Sequence, residues 1–188
     1  MPENSRFWIG FDLGGTKMLA NVLDDKFRVV GSCRKKTRAN EGQAAGLERI
    51  NTVIAGALED AGISAAEVGG LGIGCPGPLD LEKGVIREAP NLGWVKAPVR
   101  KSIHDQFGFD VAVGNDVDLG VLGEYTFGAA QGARCAVGVF PGTGIGGGCV
   151  RNGELLTGTN CTAMEIGHIP VSAESSLDRP GVPATLEA

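Results

Sequence analysis

Residues 7–23 read FWIGFDLGGTKMLANVL: two apolar runs, Phe7 to Leu13 and Met18 to Leu23, separated by Gly14-Gly15. Short runs of this kind bounded by glycine predict two strands joined by a tight turn. Asp24-Asp25 interrupts the pattern again, and Phe27 to Thr37 supplies a third strand. After that the period changes. Leu47, Ile50, Ile54, Leu58 and Ala61 recur at three and four residues, which predicts one helix with Asn40 as its N-cap and Gly62 as its stop.

Ser64 with Glu67 has the spacing of a capped single turn, and Val68 to Cys75 reads as a buried strand ended by Pro76-Gly77-Pro78. A helix near Pro98 to Phe107, a strand over Phe109 to Val113, and a helix over Val117 to Phe127 opened by Asn115-Asp116 complete the first half. Gly128 to Gly132 marks the expected domain boundary. Beyond it, Ala136 to Phe140, the turn Gly142 to Gly144, and Gly147 to Val150 repeat the N-terminal strand-turn-strand unit in weak and incomplete form. The expectation is an α/β chain with a first domain over 1–127 and the beginning of a second over 128–188.

Bulk properties narrow the function. In the 188 residues, 43% hydrophobic and 21% charged lie close to the globular averages of roughly 45–50% and about 25%. A net charge of −5, a pI near 5.1 and the lack of long basic runs leave no footprint for nucleic acid. The cluster Arg34, Lys35, Lys36 and Arg38 reads as a solvated strand end. Five cysteines, with no Cys-x-x-Cys pair and mostly within apolar runs, read as reduced core thiols of a cytoplasmic protein. No apolar run approaches the roughly 18–20 residues of a membrane span, and no basic-then-apolar leader pattern opens the chain, so no membrane partner is expected.

The chemistry concentrates in glycine-rich turns. In Asp12-Leu-Gly-Gly-Thr-Lys17, Gly14 and Gly15 allow backbone amides to approach a phosphate, Thr16 adds a hydroxyl and Lys17 a charge. Asp12 at the strand end is placed to hold Mg²⁺ through water, because Mg²⁺ takes few carboxylates and keeps much of its hydration. An ordinary glycine turn is the alternative. Gly142-Thr143-Gly144 opens a second such stretch, and five glycines in 142–148 exceed what one turn requires. A Walker loop is excluded by the lack of Gly-x-x-x-x-Gly-Lys-Ser/Thr, and a dinucleotide fingerprint by glycines that lead to strands. Asn115-Asp116, where strand gives way to helix, reads either as a cap or as a catalytic carboxylate. Asn91 in Pro90-Asn-Leu-Gly-Trp94, together with Glu165 and His168, completes the polar set.

Six motifs in this order resemble the repressor, ORF, kinase (ROK) family, glucokinase-like members included, within the actin and hexokinase superfamily. They are Asp-x-Gly-Gly-Thr-Lys at 12–17, Gly-Cys-Pro-Gly-Pro at 74–78, Pro-Asn-Leu-Gly-Trp at 90–94, Asn-Asp at 115–116, Gly-Thr-Gly-Ile-Gly-Gly-Gly at 142–148 and Glu-Ile-Gly-His at 165–168. The resemblance implies an actin/hexokinase-like (ribonuclease H-like) fold, with a complete N-terminal domain and a partial second one. It implies that Asp116 is the general base toward a sugar hydroxyl attacking the γ-phosphate of ATP. By the same resemblance Asn91, Asn115, Glu165 and His168 hold the sugar. Asp12, Gly14, Gly15, Thr16, Lys17, Gly142, Thr143 and Gly144 hold the phosphates, with Mg²⁺ as cofactor. A homodimer is the assembly such families favour.

The family's three zinc-ligand cysteines fall here on Asp178, Pro180 and Thr185, while Gly181 and Leu186-Glu187-Ala188 keep their places. Those residues cannot complete a Cys₃His tetrahedron, so no zinc is expected. Glu187 stands where the family has its last sugar-contacting glutamate. The resemblance also implies that a complete member continues past this length, and hence that this polypeptide alone is a poor or inactive kinase. Glucose phosphorylated at its 6-hydroxyl is the leading expectation. Fructokinase, N-acetylhexosamine kinase, a non-catalytic sugar-binding fragment and a sugar-responsive repressor are the alternatives, the last opposed by the six residues that precede the first strand.

Overall fold

Alternation along the first strands sets one face against the core. In β1 (Phe7–Leu13) Ile9, Phe11 and Leu13 are buried, and in β2 (Lys17–Leu23) Met18, Ala20 and Val22 are buried, the period-two pattern of a half-covered sheet. The computed structural model describes residues 7–142, 144–159, 161–175 and 183–186. Contacts group the chain into two compact units, Met1–Asp116 and Val117–Ala188, whereas composition places the break at Gly128.

In the first unit, β3 (Val29–Lys36) follows β2 in a meander, and α1 (Gly42–Ala61) crosses over to β4 (Val68–Cys75). α2 (Val99–Phe107) then leads to β8 (Val111–Asn115). The sheet order is β3-β2-β1-β4-β8; β1 pairs antiparallel with β2 and parallel with β4, and β4 pairs parallel with β8. α1 packs on β2, β3 and α2, and α2 packs on β8, so both helices cover the same face. On the opposite face a Cβ at Gly10 or Gly72 would meet nothing within 4 Å. A groove of about 560 Å³ lies there, lined by Trp8, Gly10, Leu23, Phe27, Gly72 and Ala112. Among the described residues no helix is long and apolar enough to cross a membrane.

The fold departs from the sequence expectation in four further places. Three short strands, β5 (Leu79–Asp80), β6 (Val85–Ala89) and β7 (Trp94–Ala97), form a separate antiparallel sheet in a stretch to which the sequence pattern assigns no strand. At two to five residues they are too short for a period to register, but Leu79, Ile86, Ala89, Trp94 and Ala97 join the main core. Asn40 is not the N-cap of α1. It lies in a 3₁₀ turn, Ala39–Glu41, after Arg38 turns left-handed at φ 52°, and Glu41 occupies the cap position with its carboxylate held by Arg38 and Arg49. β8 starts at Val111 because Gly108 (φ 81°) and the stacked rings of Phe107 and Phe109 occupy the preceding turn. Cys135 is exposed, 3.8 Å from the Sγ of buried Cys149, so the five cysteines are not uniformly core thiols. Gly62 does stop α1, at φ 67°, and the Ser64 amide and hydroxyl both donate to Glu67, at 2.9 Å each.

In the second unit, α3 (Asp116–Phe127) precedes β9 (Cys135–Pro141), β10 (Ile145–Arg151) and β11 (Glu154–Leu155), an antiparallel sheet of order β11-β10-β9. Val121 of α3 is buried against β9 and β10; Cβ atoms built on Gly138 and Gly148 would stand 2.3 and 2.8 Å from its Cγ2. β12 (Pro170–Ser175) and β13 (Pro183–Thr185) pair antiparallel.

Two stability predictions follow from this packing. A Cβ on Gly46 of α1 would sit 2.0 Å from Cζ2 of buried Trp94. Gly46→Ala gains about 1 kcal/mol of helix propensity and incurs roughly 1–3 kcal/mol of overpacking, so thermal unfolding should show a net loss that Trp94→Phe partly relieves. A variant as stable as the parent would contradict the contact. Asp24, in the β2–β3 turn, accepts bonds from the Arg28 side chain (2.7 Å) and from the Arg28 and Lys26 amides (2.9 Å each), which hold its carboxyl below the ordinary value of 3.8, the Arg28 side chain most of all. A depressed folded pKa stabilises above the unfolded value and is lost as pH falls through the folded one. Asp24→Ala should therefore lower the melting temperature at neutral pH, and the gap should close in acid as the carboxyl protonates.

Candidate active site

Ligands of sheets with parallel strands sit beyond the carboxyl ends of those strands. The register aligns Asp12 of β1 with Gly74 of β4, and Cys75 of β4 with Asn115 of β8, so Asp12, Cys75 and Asn115 reach the same sheet edge. Asp116 follows as the first residue of α3. The Cys75 thiol is fully buried, and desolvation first, then the charges of Asp116 and Asp12, push its pKa far up. Both carboxylates thus act on one buried atom. Asp12 itself is pushed up by desolvation, opposed by the Arg34 charge. Leu19 pairs with Asp12 on one side and Arg34 on the other, which places the three in a row across β1, β2 and β3. Sequence reading took Arg34 for part of a solvated strand end, since its partner across two strands is visible only from the register.

The loop between β1 and β2 closes through the Gly14 amide, which donates to the Lys17 carbonyl at 3.0 Å. A Cβ on Gly14 would lie 2.8 Å from that oxygen, so the closure needs glycine. Thr16 and Lys17 are exposed. A Cβ on Gly15 would lie 3.2 Å from Nδ2 of Asn91, which brings the expected phosphate loop and an expected sugar ligand side by side. Asn91 stands exposed on a turn closed by the Leu92 amide to Ala89 (3.0 Å) and the Gly93 amide to Pro90 (3.2 Å), and it is gripped by buried Leu92 and Trp94. Thr37, which sequence reading assigned only to a strand end, is 1% exposed and bonds to the loop from behind. Its phase with Cys33 on the helix-facing side of β3 was the available signal.

In the second unit the glycine-rich stretch divides into two roles. Gly142 and Gly144 form the turn, with the Gly142 amide donating to the Gly144 carbonyl at 2.8 Å; Thr143 lies outside the described residues. Gly146, Gly147 and Gly148 lie within β10. Cβ atoms there would stand 2.6 Å from Val117, 2.4 Å from the Met164 carbonyl and 2.8 Å from Val121, so these glycines make room for neighbours on both sides of the strand. Three of the five glycines in 142–148 thus have a packing role. Gly147 admits the segment 164–168, in which the His168 amide donates to the Glu165 carbonyl at 3.1 Å and both side chains are exposed.

Glu187, Asp178, Pro180 and Gly181 lie outside the described residues, and Thr185 is the last residue of β13. Among the described residues no group of three or more His, Cys, Asp and Glu side chains is arranged to hold a metal ion. Asp12 offers a single carboxylate, which suits a hydrated divalent cation more than a closed protein cage.

Known proteins resemble this chain over most of its length. The ROK family profile matches residues 8–184. The chain is 34% identical over 181 residues to a glucokinase of Thermotoga maritima, covering 96% of this chain and 56% of that protein. It is 33% identical over 171 residues to a glucokinase of Halalkalibacterium halodurans, covering 91% and 52%. A ROK family glucokinase of Streptomyces griseus, solved in complex with glucose and AMPPNP, superposes with a TM-score of 0.78 at 32% identity, covering 91% of this chain and 53% of that one. A putative xylose repressor of Caldicellulosiruptor also matches, at 28% identity over 90% of this chain and 42% of its own length. The chain spans about half the length of the curated relatives it matches. The mixed sheet, the motif order and the match across residues 8–184 give one conclusion: the chain belongs to the ROK family and has its actin/hexokinase-like α/β fold.

Proposed function

We propose that this chain carries the sugar-binding residues and part of the phosphate-binding residues of an ATP-dependent hexokinase acting on the 6-hydroxyl of glucose. The observation that carries the reading is the convergence of Asp12 and Asp116 at the carboxyl ends of β1, β4 and β8, with Asn91 beside Gly15. Two carboxylates at one edge serve two tasks of phosphoryl transfer, which needs a base near the incoming hydroxyl and positive charge around the phosphates.

In this reading the Asp116 carboxylate takes the proton of the sugar hydroxyl as that oxygen forms a bond to the γ-phosphorus. The bond to the β–γ bridging oxygen breaks and ADP leaves. Asn91, Asn115, Glu165, His168 and Glu187 orient the sugar by hydrogen bonds. Gly14, Gly15, Thr16, Lys17, Gly142, Thr143 and Gly144 face the phosphates, with amides and the Lys17 ammonium as donors. A hydrated Mg²⁺ beside Asp12 would supply charge neutralisation when bound. Sugar and ATP are the partners this reading assigns, and a homodimer is the assembly we favour.

The match to a putative xylose repressor supports a second reading, in which the same polar set senses a sugar without transferring phosphate. Glucose-dependent ADP release with Mg-ATP, measured beside calorimetric glucose binding, separates the two. Asp116→Asn should lower turnover by at least about 100-fold, as expected for loss of a general base, and leave glucose affinity within a few-fold. Glucose binding without Mg-ATP binding would favour the sensing reading. A chain that binds neither glucose nor Mg-ATP would sink both.

A further inference from the structure

We propose that Thr37 is the positioning residue of the phosphate loop, fixing the direction in which the loop's amides point; the proposal rests on the kinase reading given above. Among the described residues the buried polar side chains are Asp24 and Thr37, and the two do different things. Asp24 closes its own turn through Lys26 and Arg28. Thr37 reaches 23 residues back along the chain: its hydroxyl donates to the Gly14 carbonyl at 2.6 Å and its amide donates to the Thr16 carbonyl at 2.9 Å. Its own carbonyl accepts from Nη1 of Arg49 in α1 at 2.7 Å. Immediately afterwards Arg38 turns left-handed, and Arg49 pairs with Glu41 at the start of α1. The loop is thereby tied through one buried residue to the helix beneath the sheet.

The peptide bond gives this anchoring its directional effect. The Gly14 carbonyl and the Gly15 amide belong to one planar trans unit, so holding the oxygen toward Thr37 turns the Gly15 N–H to the opposite side. The same holds for the Thr16 carbonyl and the Lys17 amide. Among the described residues the Gly15 amide donates to no acceptor. A fixed N–H without a partner is what a phosphate oxygen requires, and a loop whose carbonyls were free to swing would present those oxygens to the anion instead. Thr37 touches no phosphate in this scheme and acts through Gly14 and Thr16.

The test compares Thr37→Val, which keeps the shape and the amide bond and deletes the hydroxyl, with Thr37→Ser, which restores the hydroxyl. Hydrogen exchange at the Gly14 amide reads the anchoring without any ligand. Calorimetry with Mg-ADP reads the phosphate site, and glucose affinity serves as the control for the fold. Thr37→Val should raise Gly14 exchange and weaken Mg-ADP about tenfold, the scale of one hydrogen bond, with glucose affinity unchanged. Thr37→Ser should recover both. Unchanged exchange in Thr37→Val, or raised exchange with full Mg-ADP affinity, would overturn the positioning role. Equal losses of glucose and Mg-ADP affinity in Thr37→Val would also overturn it, by revealing a merely structural residue. A parent chain that binds no Mg-ADP would instead overturn the phosphate reading of the loop, whatever Thr37 does to exchange.

Discussion

The register among β1, β4 and β8 is the constraint on which the candidate site depends. Side chains alternate strictly between faces along a strand, so a slip of one residue exchanges every inward and outward position. With Asp12 level with Gly74 and Cys75 level with Asn115, the carboxylate of Asp12 escapes the helix-covered face while Ile9, Phe11 and Leu13 fill it. A slip would drive Asp12 beneath α1 and expose Leu13, at a cost far above any single contact in the loop. The apolar core therefore holds the polar edge in place. It does so without touching the residues assigned to substrate.

Close approach is the second theme, and it explains much of the unusual glycine content, 31 of 188 residues. Gly46 receives Trp94, which in turn grips the turn that presents Asn91. Gly138 and Gly148 receive Val121, and Gly147 receives the segment that carries Glu165 and His168. In each case a missing Cβ lets one element settle against another, and at Gly46 and Gly147 the settled segment carries polar residues of the candidate site.

Much of this was legible in the sequence wherever a local period or turn signal carries the information. The Gly14-Gly15 hairpin, the helix pattern through Leu47, Ile50, Ile54 and Leu58, the Gly62 stop and the Ser64–Glu67 cap are all local, and the structure places them where expected. The ordered motifs gave the family, and the family gave the residues to look for. What escaped was long-range or too short. Strands β5 to β7 have too few residues for a period; Thr37 acquires its meaning only through a partner 23 residues away; Arg34 meets Asp12 only across two strands. The run at 142–148 was legible only in part, for a different reason. Glycine serves a turn and a packing contact equally well, and composition cannot separate them.

The uncovered sheet face has a consequence of its own. Gly10 and Gly72 stand in strands with nothing within 4 Å of the position a Cβ would take. Glycine has more freedom than any other residue to lose when a strand forms, a penalty of roughly 0.5–1 kcal/mol relative to alanine. At Gly46 or Gly148 close packing offsets that loss, but among the described residues nothing offsets it at Gly10 or Gly72. The central strands are held below the stability their hydrogen bonding would permit, by a deficit that resides in the entropy of the unfolded chain and leaves no trace among the contacts of the folded one.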